Sequence, residues 1–342
     1  MTFDLYHGAV PVKPARTDSE LWIPAVAAGA TGRRTESHPY DEMWLTLYAA
    51  DVNASKAERM IGAQVFVECK LVALEHIHSR TIKMFHPGLV SITFRQLSAR
   101  EIVSLVKEAG LKGIEWGGDI HVPHGEVETA KEVLAMTREA GLEVAAYGSY
   151  YRAGDETETF EGVLACAVAL ETRVLRVWIG RQGSADADDA SRQRIYEDCR
   201  RISSMASDAG IELACEWHGN TLTDTAAAAS ALFEAVDHSA FNTYWQPRTK
   251  TSREFCLKDM DAAMPRLIGL HMFNWDAETG GREPLEGGQS SWQEFLTKAK
   301  TCSRAQESDM YALLEFVKDD EPRQFLDDAQ TLKGWLEDVN LK

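Results

Sequence analysis

Four polar residues late in the chain, each ending or lying near the end of an apolar run, carry groups that bind divalent cations. They are Glu216 in ELACEWHG, Gln246 in FNTYWQP, His271 in LIGLHMFNWD and Glu315 in YALLEFVKDD. Two carboxylates, an amide oxygen and one imidazole form an oxygen-rich donor set. Such a set suits Mn first, with Mg, Co or Zn as alternatives, and differs from a closed thiolate zinc site. Any one of these residues alone reads as a helix cap or as the partner of an Arg. Four in succession, each flanked by apolar residues that force the burial of a costly polar group, point to a site. Gln246 fits equally well as a metal ligand or as a loop hydrogen-bonder.

Other polar and aromatic groups stand at the ends of earlier apolar runs. Glu115 and Trp116 close GIEW, and the GGDIHVPHG stretch after them carries His121 and His124. Glu115, His121, Arg176, Trp178 and Asn274 are candidates for contacting a substrate. Arg176 also fits a buried ion pair with a carboxylate, and Trp178 also fits ordinary packing. His218, two residues after Glu216, faces the same side if the strand continues, which makes it a candidate catalytic group. The glycine-rich stretch ETGGREPLEGG (residues 278–288) lacks a phosphate-loop pattern and reads as a mobile lid.

These residues need elements to hold them. EAGLKGIEW, EAGLEVAAY and DAGIELACEW each read as a helix end, a glycine in the left-handed cap position and then a strand. The alternation predicts eight strands: Leu89–Phe94, Lys112–Glu115, Leu142–Tyr147, Arg173–Trp178, Ile211–Glu216, Ala240–Trp245, Leu267–Phe273 and Tyr311–Phe316. Strands alternating with helices over about 250 residues make a (β/α)8 TIM barrel, and no GxGxxG follows the first strand to favour an open sheet. Barrel enzymes place their chemistry at the C-terminal strand ends, which is where the candidate residues fall.

The pattern divides the chain into an N-terminal extension, residues 1–83, and a barrel, residues 84–342. The extension holds two helical stretches, around Ser19–Ala28 and Ala54–Ala63, and a strand-like Gln64–Leu74, with no recognisable chemistry. Its formal charge is near neutral, whereas the barrel carries 27 Lys and Arg against 43 Asp and Glu. That negative surface repels phosphate backbones and argues against nucleic acid. No apolar run is long enough for a membrane span, and no secretory signal opens the chain. The six scattered cysteines read as reduced, buried thiols. The expectation is a soluble, cytoplasmic protein with a small-molecule partner and room for a homo-oligomer.

GIEWGG, ELACEWHG, GLHMFNWD and ALLEF together resemble the sugar phosphate isomerase/epimerase group of the xylose isomerase-like TIM barrel superfamily, over about residues 86–340. That group includes ketose 3-epimerases, inosose dehydratases and endonuclease IV. The resemblance implies a metal-dependent isomerase or epimerase of a sugar or polyol. Glu216 and Glu315 would act as acid and base beside a carbonyl, and His271 would hold the metal. A dehydratase or lyase on a keto-sugar or inosose needs the same first proton abstraction. Relatives usually supply Asp followed three positions later by His on the sixth strand, where this chain reads Tyr244-Trp245-Gln246-Pro247. The lost carboxylate keeps a non-catalytic sugar-binding barrel in view.

Overall fold

Each of the three repeated junctions folds as its glycine requires. Gly110, Gly141 and Gly210 have φ of 67°, 79° and 72°, a left-handed conformation that side chains resist and that ends a helix cleanly before the next strand. At the opposite helix end, Ser98 and Glu101 form a reciprocal capping box that starts the first helix. These signals set the βα rhythm of the computed structural model, which describes residues 84–342 apart from Glu156, Glu158 and Lys342. The anticipated extension, residues 1–83, lies outside the described residues.

The elements run β1 (Phe85–Val90), α1 (Ala99–Ala109), β2 (Gly113–Gly117), α2 (Val127–Glu139), β3 (Glu143–Arg152), α3 (Phe160–Ala169), β4 (Val174–Trp178), α4 (Asp189–Asp208) and β5 (Glu212–Glu216). They continue with α5 (Ala226–Val236), β6 (Phe241–Trp245), α6 (Arg253–Ala263), β7 (Leu267–Met272), a hairpin of β8 (Asn274–Trp275) and β9 (Arg282–Glu283), α7 (Gln289–Ala299), the short α8 (Ser303–Glu307), β10 (Met310–Leu314) and α9 (Pro322–Asn340). Eight parallel strands close in the order β1-β10-β7-β6-β5-β4-β3-β2, so the fold is a TIM barrel.

The first strand differs from expectation. It spans Phe85–Val90, and Ser91–Phe94 forms a 3-10 turn instead. Pro87 and Gly88 look like strand breakers in sequence. In the barrel, the Pro87 carbonyl accepts from the Lys112 amide at 2.8 Å, and Gly88 lies so close to β2 that a Cβ would sit 2.7 Å from the Gly113 oxygen. Close approach, not a turn, explains that glycine.

Alternation within the strands sorts the side chains. On β2, β4, β5 and β10, Ile114 and Trp116, Leu175 and Val177, Leu213 and Cys215, and Ala312 and Leu314 join the main core beneath the helices. Residues one step out of phase then point into the barrel, which places Glu115, Arg176, Glu216 and Glu315 there. A smaller apolar cluster including Ala214, Tyr244, Ile268 and Leu313 lies apart from that core. The helices add to the burial: α1 alone sinks Ile102, Val103, Leu105, Val106 and Ala109. Each large aliphatic side chain buried this way contributes about 1.5–3 kcal/mol.

Cys166, Cys199, Cys215, Cys256 and Cys302 are buried and free. Among the described residues, no helix is long and apolar enough to cross a membrane.

Candidate metal centre and active site

Strands β2, β4, β5, β7 and β10 bring Glu115, Arg176, Glu216, His271 and Glu315 together inside the barrel. All five side chains are at most 3% exposed. Arg176 donates from Nε to Glu115 Oε1 at 2.6 Å and from Nη1 to Glu216 Oε2. His271 Nε2 bonds the other Glu115 oxygen at 3.0 Å. Its Nδ1 faces the remaining two carboxylates, 3.4 Å from Glu315 Oε2 and 3.7 Å from Glu216 Oε1.

Burial opposes charge on all of these groups, yet their mutual attraction prevails. Burial would raise the Glu216 and Glu115 carboxyls, but Arg176 and His271 hold both below the usual carboxylate range. Burial would lower His271, but Glu115 and Glu315 lead the groups that hold it well above the usual histidine value.

A cation fits the donors that converge here. Donor atoms of Glu216, His271 and Glu315 lie within 4.8 Å of one another. His271 Nδ1, Glu315 Oε2 and Gln246 Oε1 are buried and make no hydrogen bond, the condition expected of groups arranged for an ion. With His271 neutral, as a metal-binding imidazole is, three carboxylates against one guanidinium leave a formal −2, which a divalent ion would neutralise. Gln246 is buried beside them, its amide nitrogen donating to the Trp217 carbonyl at 2.9 Å and to Glu216 Oε1 at 3.3 Å. Its nitrogen therefore holds the site together while its oxygen remains available.

The substrate-contact candidates divide. Trp178 is half-buried, packed between the His218 ring at 4.2 Å and the Arg152 guanidinium at 4.0 Å. His218 Nδ1 bonds the Gly219 carbonyl at 2.7 Å, so in the neutral ring Nδ1 carries the proton and Nε2 a lone pair.

Two of the expected substrate contacts already have partners within the barrel. His121 Nε2 donates to the Leu97 carbonyl at 3.1 Å and Nδ1 accepts from Ser91 at 2.9 Å, so neither ring nitrogen is left for a ligand. Glu115 is wholly enclosed, with both oxygens committed to Arg176 and His271. Arg176 takes the ion-pair role that its sequence context allowed. Asn274 donates to the Pro284 carbonyl at 2.9 Å, holding the β8–β9 hairpin within the stretch read as a lid.

Tyr150, one of the tyrosines that follow the expected third strand, has a backbone conformation that its residue type does not announce. Its φ is 59°, its ring lies 4.7 Å from the Arg176 guanidinium and 5.7 Å from Trp178, and its hydroxyl accepts from Arg95 at 3.2 Å. The sequence offers only a Tyr-Tyr-Arg run after the third strand. A left-handed tyrosine is not readable from residue type.

Comparison with known proteins agrees with this architecture. The profile of the family described as xylose isomerase-like TIM barrel matches residues 103–297, more than half of the chain. The chain is 30% identical over 161 residues to a 3-dehydroshikimate dehydratase of Bacillus anthracis, a match covering 44% of this chain and 58% of that protein. The matched segment is thus less than two thirds of that relative's length. The crystal structure of a probable 3-DHS dehydratase involved in petrobactin synthesis, also from Bacillus anthracis, superposes with a TM-score of 0.60 at 21% identity, covering 73% of this chain and 99% of the other. A xylose isomerase-like TIM barrel protein from Mycobacterium smegmatis in complex with magnesium gives a TM-score of 0.56 at 14% identity, covering 75% and 98%. The closed eight-stranded barrel and the profile match place this chain in the xylose isomerase-like TIM barrel family.

Proposed function

We propose that this chain is a divalent-metal-dependent enzyme that removes a proton from the carbon beside a carbonyl of a hydroxylated, sugar-like substrate, and that it is a dehydratase. The observation that carries this reading is the unequal state of the two carboxylates. Glu216 is tied to Arg176 and Gln246, whereas Glu315 Oε2 has no hydrogen bond. Epimerisation by two carboxylates needs both to exchange protons in turn. A carboxylate pinned by a guanidinium is a poor partner for that exchange, so one carboxylate without such a clamp plus a separate base suits elimination better. The similarity to a 3-dehydroshikimate dehydratase supports the same choice.

Glu216, His271 and Glu315 would hold the ion, with the Gln246 oxygen beside them; their donor set favours manganese, with magnesium, cobalt or zinc as alternatives. Bound there, a divalent cation would polarise the substrate carbonyl and stabilise negative charge developing on its oxygen. His218 Nε2 takes the proton from the adjacent carbon. The C–H electron pair becomes a C=C bond as the β-hydroxyl departs, and Glu315 relays to that hydroxyl a proton taken up from solvent, so water leaves. Solvent then accepts the proton held by His218. Trp178, stacked on the His218 ring, holds that base in place.

The isomerase or epimerase reading shares the first step and differs in the fate of the carbanion. A panel of cyclic and open-chain β-hydroxy ketones in deuterated water with Mn separates the outcomes. Appearance of a conjugated enone supports dehydration. Deuterium incorporation with a new epimer and no enone overturns it in favour of an epimerase. Neither exchange nor enone across the panel leaves a sugar-binding barrel.

A further inference from the structure

We propose that Glu115 is a positioning residue that sets the proton on His271 and ties that ligand to Glu216; the inference rests on the metal-centre reading of the site above. Glu115 reaches both ligand arms at once. Its Oε2 receives His271 Nε2 at 3.0 Å, and its Oε1 receives Arg176 Nε at 2.6 Å, while the same guanidinium bonds Glu216. An ionised carboxylate only accepts hydrogen bonds. Once an ion takes the place of the Nδ1 proton, the imidazole facing Glu115 keeps its remaining proton on Nε2, with Nδ1 turned toward Glu216 and Glu315. Carboxylates opposite a metal-bound imidazole fix ring orientation and proton position in this way.

The surrounding backbone is shaped for this group. At Gly148 of β3, a Cβ would lie 2.5 Å from Glu115 Oε1 and 2.7 Å from Arg176 Nη2, so any side chain there would displace the carboxylate or the guanidinium. Tyr244 packs edge-on against the other side of the His271 ring at 5.2 Å and 83°. The ring is thus clamped by packing while Glu115 selects its tautomer.

Glu115→Gln is informative because an amide has one accepting oxygen and one donating nitrogen. If its oxygen serves Arg176, its nitrogen faces His271 and moves the ring proton to Nδ1, into the ion's place. If its oxygen serves His271, two donors confront each other at Arg176. Glu115→Asp keeps the charge and both acceptors with a shorter reach.

The test uses the full chain labelled with 15N-histidine. The Mg-loaded wild type is expected to show His271 protonated on Nε2 and not on Nδ1. Calorimetric titration with Mn alone is expected to show roughly 10- to 100-fold weaker binding for Glu115→Gln, and binding within about tenfold of wild type for Glu115→Asp. A purely structural role would lower the melting temperature without moving the tautomer. Protonation of His271 on Nδ1 in the Mg-loaded wild type overturns the proposal without need of a variant. So does a Glu115→Gln protein that keeps both the Nε2 proton and wild-type Mn affinity. Wild-type protein that binds no divalent ion overturns the metal-centre reading itself, and this role with it.

Discussion

Arg176 and Glu216 meet as an ion pair inside the barrel, with 1% and 3% of their side chains exposed. Removing one partner of such a pair strands a charge in a medium of low polarity. Arg176→Met is expected to destabilise the barrel by about 3–5 kcal/mol, since it deprives both Glu216 and Glu115 of their counter-charge. Urea denaturation measures it, and a loss under about 1 kcal/mol would mean that the two carboxylates are held by other means.

His218 and Glu315 are expected to separate in their effects. His218→Asn should cut turnover by about 10²–10⁴-fold, the usual size of a general acid–base contribution, with Mn binding unchanged. Glu315→Gln should cut turnover similarly and also weaken Mn binding, because it removes a ligand charge. Turnover of the His218 variant within about tenfold of wild type would exclude that ring as the base.

His121 supplies a pH dependence unrelated to the chemistry. Burial lowers its pKa; the Leu97 carbonyl and Asp119 oppose the shift, and Arg95 adds to it. The unfolded chain therefore takes up this proton first. Stability contributed by the neutral ring is complete above about pH 6.5 and is lost as the pH falls through the lower folded value. His121→Gln should flatten that part of the stability profile and leave substrate KM unchanged. A raised KM with an unaltered profile would restore His121 to the substrate site.

Gln246→Leu would leave Glu216 Oε1 and the Trp217 carbonyl without this donor and remove the unpaired Gln246 oxygen. The expected cost is about 1–3 kcal/mol for the stranded acceptors, together with weaker Mn binding. Undiminished affinity in calorimetry would place the amide outside the ion's contacts.

A chain shortened to begin at Met84 retains every strand of the closed sheet, from Phe85 in β1 to Leu314 in β10. We expect it to fold with a single cooperative transition. Insolubility of the shortened chain would show that the barrel depends on residues 1–83, either to cover apolar surface or to form an oligomer.

The regular parts of this fold could be read in advance because local chemistry dictates them. A glycine after a helix must be left-handed, and a polar residue in phase with inward positions must face the barrel, so Gly110, Gly141, Gly210, Glu216 and Glu315 announced their places. Long-range pairing was hidden. Glu115 looks like a strand-end substrate ligand until it meets His271, 156 residues away, and Arg176, 61 residues away. The same holds for β1, where Pro87-Gly88 reads as a break unless the neighbouring strand is known to press against it.

Glu115, Arg176 and His271 are fully or almost fully enclosed, whereas Tyr150, Trp178 and His218 are partly open to solvent. For protein engineering, this means that the enclosed charged network and the aromatic rim occupy different strata of the barrel. Libraries confined to Tyr150 and Trp178, with His218 kept, are expected to change which compounds are admitted. Diversity introduced at Gly148, which contacts the inner layer, would remove function before it reached new specificity.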